Sequence, residues 1–105
     1  MKTYQFGSYT EHYDATILEQ IPENTLETIE RYVQRGIHTG DFLQAVISNN
    51  LREAIGRADH GNLWALKQIV QVFHNYCPGE CWGSFNAYKA WIDRGGLQGI
   101  QIDPA

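Results

Sequence analysis

The residues best suited to recognising a ligand lie in the stretch VISNNLREAIGRADHGN, residues 46–62. Asn50 and Arg57 are seven residues apart, so a continuous helix would place both side chains on nearly the same face, beside Ala54. A flat guanidinium next to a carboxamide suits a phosphate, a carboxylate or the edge of a nucleobase. The structural alternative is that Arg57 pairs with an acid or caps a helix end, while Asn50 holds a helix break together.

Four further residues with amide or aromatic side chains, which could contact a ligand, lie on the next predicted helix and in the turn after it. A closed polar pocket for an anionic ligand needs arginine for charge, amides for polar edges and an aromatic ring for stacking. The sequence therefore gives one candidate ligand-binding set, which consists of Asn50, Arg57, Asn62, Asn75, Tyr76 and Trp82.

A second candidate is the side of this next helix that faces away from its apolar stripe. Trp64 lies on that side, together with the polar residues Lys67, Gln68, Gln71 and Asn75. A tryptophan among amides at helical spacing is typical of a contact surface, because a large aromatic side chain is costly to leave in water. The alternative is that the bundle covers this face as well.

Metal and catalytic chemistry find little support in the sequence. His74, Cys77, Glu80 and Cys81 lie close together, but a structural zinc site normally takes four ligands from two separated pairs, and only one half is present. Cys81 and His74 also lack an oxyanion motif, a third orienting residue and a Gly-rich phosphate loop. We therefore predict a protein that is not an enzyme, with no metal, no cofactor and no catalytic residues.

Length and charge limit the remaining function classes. The chain has 105 residues, enough for one domain with a modest core, and its formal charge of −4 argues against binding to duplex nucleic acid. A local positive pocket remains open to the fold, because four arginines lie within a short span: Arg31, Arg35, Arg52 and Arg57. No signal-peptide segment or membrane-length apolar run is found, which predicts a cytosolic protein with no membrane partner.

The spacing of apolar residues predicts an all-α fold, a compact bundle of four or five helices with an N-terminal aromatic arm. We divide this single domain into the arm (1–20), a helical body (21–96) and a tail (97–105). The arm is expected to contain at most a short strand and to pack on its own body or on a neighbouring subunit. The tail is expected to be extended or loosely packed.

Capping and stop residues predict where the helices of the body begin and end. The second predicted helix of the body follows Thr39. It is either one helix of about 18 residues or two halves hinged near residues 48–50, where Ser and Asn side chains compete for backbone partners. Its inward stripe, continued on the third helix, includes Leu51, Ile55 and Leu63. The predicted caps and stops are, in chain order, Pro22, Gly36, Thr39, Asp59, Pro78-Gly79, Ser84 and Gly95-Gly96.

The run from Arg31 to Gly96 resembles a group of short proteins encoded by bacteriophages and prophages. It carries, in this order, their elements Gly-Ile, Gly-x-Phe-Leu-x-Ala-Val, Arg-Ala-Asp, Asn and Trp-Gly-Ser. The chain departs from that pattern at Asn49-Asn50, where Asn-Asp is usual, and Cys77 is particular to this sequence. The resemblance implies a phage origin, and hence the cytoplasm of a host cell, but it implies no mechanism.

Stoichiometric binding is the activity expected of a small acidic phage protein without an enzyme motif. The preferred hypothesis is a homo-oligomer that sequesters a nucleotide-derived immune signalling molecule, which requires Arg57 to point into a cavity. The alternative is a protein-interaction module that inhibits a host protein, which requires the Trp64 face or the N-terminal aromatic residues to form an exposed patch. A structural accessory protein of the phage is a third hypothesis.

Overall fold

The computed structural model describes residues 3–7 and 13–102, with residues 100–102 described by their backbone alone. This part of the chain contains eight α-helices and no strand, which confirms the predicted all-α fold. The helices are α1 (Ala15–Leu18), α2 (Glu23–Arg35), α3 (Asp41–Ile47), α4 (Leu51–Arg57), α5 (His60–Trp64), α6 (Leu66–Tyr76), α7 (Phe85–Arg94) and α8 (Gly96–Ile102), with a 3-10 turn at Gly79–Cys81. None of the described helices combines the length and the apolar character needed to cross a bilayer.

The first long helix, α2, has the ends that its sequence predicts. Glu23 lies in the first turn and Arg35 in the last, where each charge opposes the helix dipole. Gly36 then adopts a left-handed conformation with φ of 66°, and its N–H donates to the carbonyl of Tyr32. Pro22 is the residue before the first turn.

Helices α3 and α4 are the two halves of the second predicted helix, so the hinged alternative is confirmed. The break lies at Asn49, whose φ of 62° ends α3, and at Asn50, whose side chain accepts the N–H of Glu53 and so caps α4. The prediction of Thr39 as the cap of α3 is wrong, because Gly40 occupies that position. The N–H of Thr39 instead donates to the hydroxyl of Tyr88 on α7.

The remaining caps of the body follow the sequence closely. Asp59 accepts the N–H of Asn62 at the start of α5, and Ser84 accepts the N–H of Ala87 at the start of α7. Ala65 separates α5 from α6. Gly95 ends α7 in a left-handed conformation, with φ of 81°.

The tail and the arm differ from their predictions. Residues 96–102 form α8, which packs mainly on α2, and Leu97 is buried, so an extended tail is wrong for this range. In the arm the described residues contain the short helix α1 and no strand, and Phe6 is fully buried. The arm therefore packs on its own body. The predictions for residues 1–2, 8–12 and 103–105 lie outside the described residues.

The core is closed by aromatic side chains that also serve as hydrogen-bond donors. The indole of Trp91 on α7 donates to the carbonyls of Tyr32 and Val33, at 3.0 and 3.2 Å, near the end of α2. The hydroxyl of Tyr32 donates to the carbonyl of Cys81 at 2.8 Å. Both rings are fully or almost fully buried, so these bonds satisfy polar groups that water cannot reach. They tie α2, α7 and the 3-10 turn together.

Candidate functional site

Arg57, the predicted anion-binding residue, lies at the surface and is already paired. Its guanidinium donates to the carboxylate of Asp41 at 2.9 Å, and the carboxylate of Glu53 lies 3.9 Å away. About half of the Arg57 side chain is exposed. Since α4 begins only at Leu51, Asn50 precedes the helix, and the two residues do not share one regular helical face.

Asn50 borders a hollow between α3, α4, α6 and the segment after the 3-10 turn. The hollow has a volume of about 70 Å³, well below the roughly 300 Å³ at which small-molecule pockets begin. Two of its eight lining residues are polar. The lining residues are Val46, Asn49, Asn50, Leu51, Ala54, Leu66, Val70 and Trp82.

This hollow brings together Asn50 and Trp82 and none of the other four predicted site residues. Asn62 accepts the hydroxyl of Thr25 at 2.7 Å, and the hydroxyl of Tyr76 accepts the N–H of Asp14 at 2.9 Å. Asn75 is exposed on α6. The predicted set therefore does not form a single pocket around a nucleotide-sized ligand.

Four large apolar side chains are exposed on the two short helices α4 and α5. The exposed fractions are 63% for Leu51, 50% for Ile55, 45% for Leu63 and 76% for Trp64. We call these four residues the α4–α5 apolar surface. The prediction that Leu51, Ile55 and Leu63 point inward is wrong, because each helix has at most two turns and only Ala54 of α4 is buried.

Trp64 is held in a defined position on this surface. Its indole N–H donates to Nε2 of His60 at 3.1 Å, and the two rings meet edge to face with centroids 6.1 Å apart. The polar atom of the indole is therefore satisfied within α5, while most of the apolar ring remains in water. Of the two alternatives for this face, the structure shows the exposed one.

Comparison with known proteins does not assign this chain to a family. No family model, curated protein or solved structure matches this chain. The geometry of the chain itself is therefore the basis for its proposed function.

The residues that could hold a metal do not converge. Within residues 3–7 and 13–102 there is no group of three or more His, Cys, Asp and Glu side chains arranged around a common point. Cys81 is buried in the core, and Cys77, four residues earlier, is half-buried. Glu80 forms an ion pair with Arg94 at 3.3 Å.

The α4–α5 apolar surface was only partly predictable from the sequence. The exposure of Trp64 was one of two alternatives for its position opposite the apolar stripe, the other being that the bundle covers this face. The exposure of Leu51 and Ile55 did not, because their spacing is also that of buried residues. The signal that could have indicated it is the short length of α4 between the Asn49-Asn50 break and Asp59.

Proposed function

We propose that this chain is a non-enzymatic binding protein that docks a partner protein through the α4–α5 apolar surface. The observation that carries the proposal is that Trp64 and three large aliphatic side chains are all exposed on two consecutive short helices. Leu51 and Ile55 lie one helical turn apart on α4, and Leu63 and Trp64 are consecutive on α5, so the exposed groups occur in pairs, which is more typical of interaction sites than single exposed residues are. Tryptophan is also among the residues that contribute most to binding energy in protein interfaces.

The geometry supports a protein partner better than a sequestered nucleotide-derived signal. Sequestration at the predicted site requires Arg57 in a cavity, whereas Arg57 is paired with Asp41 at the surface. The hollow beside Asn50 is also too small for such a ligand. For a chain of phage origin, which the sequence resemblance implies, the partner would be a host protein.

The chemistry of the surface indicates which part of a partner would dock. Leu51 borders the hollow together with Leu66 and Val70, so α4 and α6 form the two sides of a shallow apolar groove. The volume of about 70 Å³ is room for about two water molecules or one short aliphatic side chain. We expect the partner to present an amphipathic helix, with one aliphatic residue in the hollow and its neighbours against Ile55 and Trp64.

The test compares the full chain with three single substitutions. Trp64→Ala and Ile55→Asp alter the α4–α5 apolar surface, and Phe85→Ser is the matched control, because Phe85 is also half exposed but lies on α7. We expect tagged protein from bacterial cells to retain one partner in stoichiometric amount, and both surface variants to lose it. The purified partner should bind Trp64→Ala about 30-fold more weakly, since an interface hot spot is worth about 2 kcal/mol or more.

Two results would overturn this proposal. The first is retention of the partner by both surface variants, with circular dichroism showing that they fold. The second is a chain that binds only itself, seen by light scattering as a dimer that Trp64→Ala converts to a monomer. The proposal also requires Phe85→Ser to retain the partner, because loss of binding in this control would indicate a general effect of removing exposed apolar area.

A further inference from the structure

A larger and more polar hollow lies where the arm, α2 and α8 meet, away from the α4–α5 apolar surface. Its volume is about 310 Å³, which is in the range of small-molecule sites. All of the described residues that line it are charged or carry amides. They are Gln5, Glu30, Arg31, Gln34, Arg35 and Gln98.

Two of the lining side chains are occupied in holding the arm against α2. The carboxylate of Glu30 accepts the backbone N–H of Gln5 at 2.7 Å. The amide of Gln34 donates to the backbone carbonyls of Gln5 and Gly7, at 2.9 and 3.2 Å. These contacts hold the arm in place as one wall of the hollow.

Two arginines lie on the wall of the hollow that α2 forms, and among the described residues they lack the carboxylate partners that Arg57 and Arg94 have. Arg57 and Arg94 form ion pairs with carboxylates. Arg31 and Arg35 form no ion pair with any described residue, and the guanidinium of Arg31 has only a 3.3 Å hydrogen bond to the hydroxyl of Thr28. They are one helical turn apart, a spacing at which like charges repel each other.

We infer that this hollow is a binding site for a small, multiply charged anion of the phosphate or pyrophosphate class. An anion between Arg31 and Arg35 would remove their repulsion and gain charge-assisted hydrogen bonds. The amides of Gln5 and Gln98 supply further donors and acceptors. None of the described residues that line the hollow is aromatic, so recognition would be of the anionic group, without stacking on a base.

The charges around the hollow partly oppose one another. Arg35 is in the last turn of α2, where the helix dipole places about half a negative charge, and Glu30 adds one more. The two guanidinium groups carry two positive charges and leave a small positive balance. Binding should therefore weaken as salt rises towards physiological ionic strength, where charges are screened over about 8 Å.

The experiment is a titration of the full chain with sodium pyrophosphate, followed by calorimetry and thermal unfolding. We expect saturable binding and a rise in Tm with the unsubstituted chain. Arg31→Gln and Arg35→Gln should each weaken binding by about tenfold, as expected for loss of a hydrogen bond to a charged group, and the double variant should abolish it. Arg52→Gln on α4 is the matched control, because it makes the same charge change away from the hollow and should bind normally.

The outcomes separate this inference from its alternatives. Unchanged binding by the double variant, or an equal loss with Arg52→Gln, would overturn it, because the anion would then respond only to total charge. Binding of a single-stranded oligonucleotide without binding of pyrophosphate would also overturn it in favour of a polymer backbone. Since the variants leave Trp64 and Ile55 unchanged, they should still retain the protein partner, so this proposal and the docking proposal can fail separately.

Discussion

Tyr32 illustrates how one buried side chain connects distant parts of this chain. Its ring is fully buried and stacks on Tyr88 with centroids 5.4 Å apart, while its hydroxyl donates to the carbonyl of Cys81. Burial raises the pKa of Tyr32 well above its usual value, and the nearby Cys81 and Tyr88 raise it further. The folded protein therefore keeps this hydroxyl protonated at a pH where an unfolded chain would release the proton.

The first prediction concerns alkaline stability. An unfolded tyrosine ionises near pH 10, so the contribution of Tyr32 should be fully present below about pH 10 and lost as the pH rises above it. Urea unfolding between pH 8 and 11.5 should show this fall, with a limiting slope from one tyrosine of about 1.4 kcal/mol per pH unit. Tyr32→Phe should reduce that slope.

The same variant has a cost at neutral pH that provides an internal check. Removing the hydroxyl leaves the carbonyl of Cys81 without its donor, which should lower the free energy of unfolding at pH 8 by about 1–3 kcal/mol. Tyr4, whose pKa is also raised by burial, remains in the variant and should keep part of the alkaline slope. A slope identical to that of the unsubstituted chain would show that Tyr32 ionises while folded.

The pair Asn50 and Arg57 shows what could be predicted about single residues. Their structural alternative is confirmed, since Asn50 caps α4 at a helix break and Arg57 pairs with an acid. The cap could be predicted because it depends on residues three positions apart. The identity of the acid could not, because Asp41 is sixteen residues away and reaches Arg57 only through the angle between α3 and α4.

At the scale of elements, two glycines allow α2 to meet the junction of α7 and α8. Gly36 and Gly96 both have left-handed conformations, with φ of 66° and 70°. A Cβ atom on Gly96 would lie 2.6 Å from the backbone nitrogen of Gly36, and one on Gly36 would lie 2.8 Å from the nitrogen of Gly96. The two backbones are thus in direct contact, which a side chain on either residue would prevent.

The second prediction uses this contact. Gly96→Ala should lower the free energy of unfolding by at least about 1–2 kcal/mol, the cost of a left-handed alanine, and by more because the neighbouring atoms are backbone. Gly56→Ala is the matched control, because nothing lies near its missing Cβ and it is within α4. The free energy of unfolding of Gly56→Ala should be higher by about 0.5–1 kcal/mol. Denaturant unfolding that gave both variants the same sign would contradict this account.

Local signals explain which helices the sequence could predict. Asp59, Ser84 and Gly95 act within one turn of their own helix, and each lies where predicted. Helix α8 was missed because Gly95-Gly96 resembles an ending, and the helix that follows depends on its contact with α2. The outward position of Leu51 was missed for a related reason, since spacing does not reveal whether another helix covers a face.

The whole molecule is held together in part by the arm at its N-terminal end. Four aromatic rings form a continuous series from Tyr4 through Phe6 and Tyr13 to Tyr76 on α6, with centroids between 4.7 and 5.6 Å apart. Glu30 and Gln34 on α2 bind the backbone of the same segment. The arm thus contacts both α2 and α6. Assembly of several chains through the arm stays a prediction, but Phe6 is already covered by its own chain.

The third prediction is that Phe6→Ala destabilises the whole protein rather than releasing the arm alone. Phe6 is fully buried, and truncation of such a ring typically costs about 3–5 kcal/mol. This is a large part of the roughly 5–15 kcal/mol that stabilises a domain of this size.

Thr3→Ala, at an exposed position in the same segment, should change stability by less than about 0.5 kcal/mol. Guanidinium unfolding should be followed by helix signal and by tyrosine absorbance, to which Tyr4 and Tyr13 of the arm contribute. Coincident transitions at a lower midpoint are expected, because the arm and the core share Phe6 and should unfold together. An early change in tyrosine absorbance without loss of helix would instead mean that the arm detaches from an intact body.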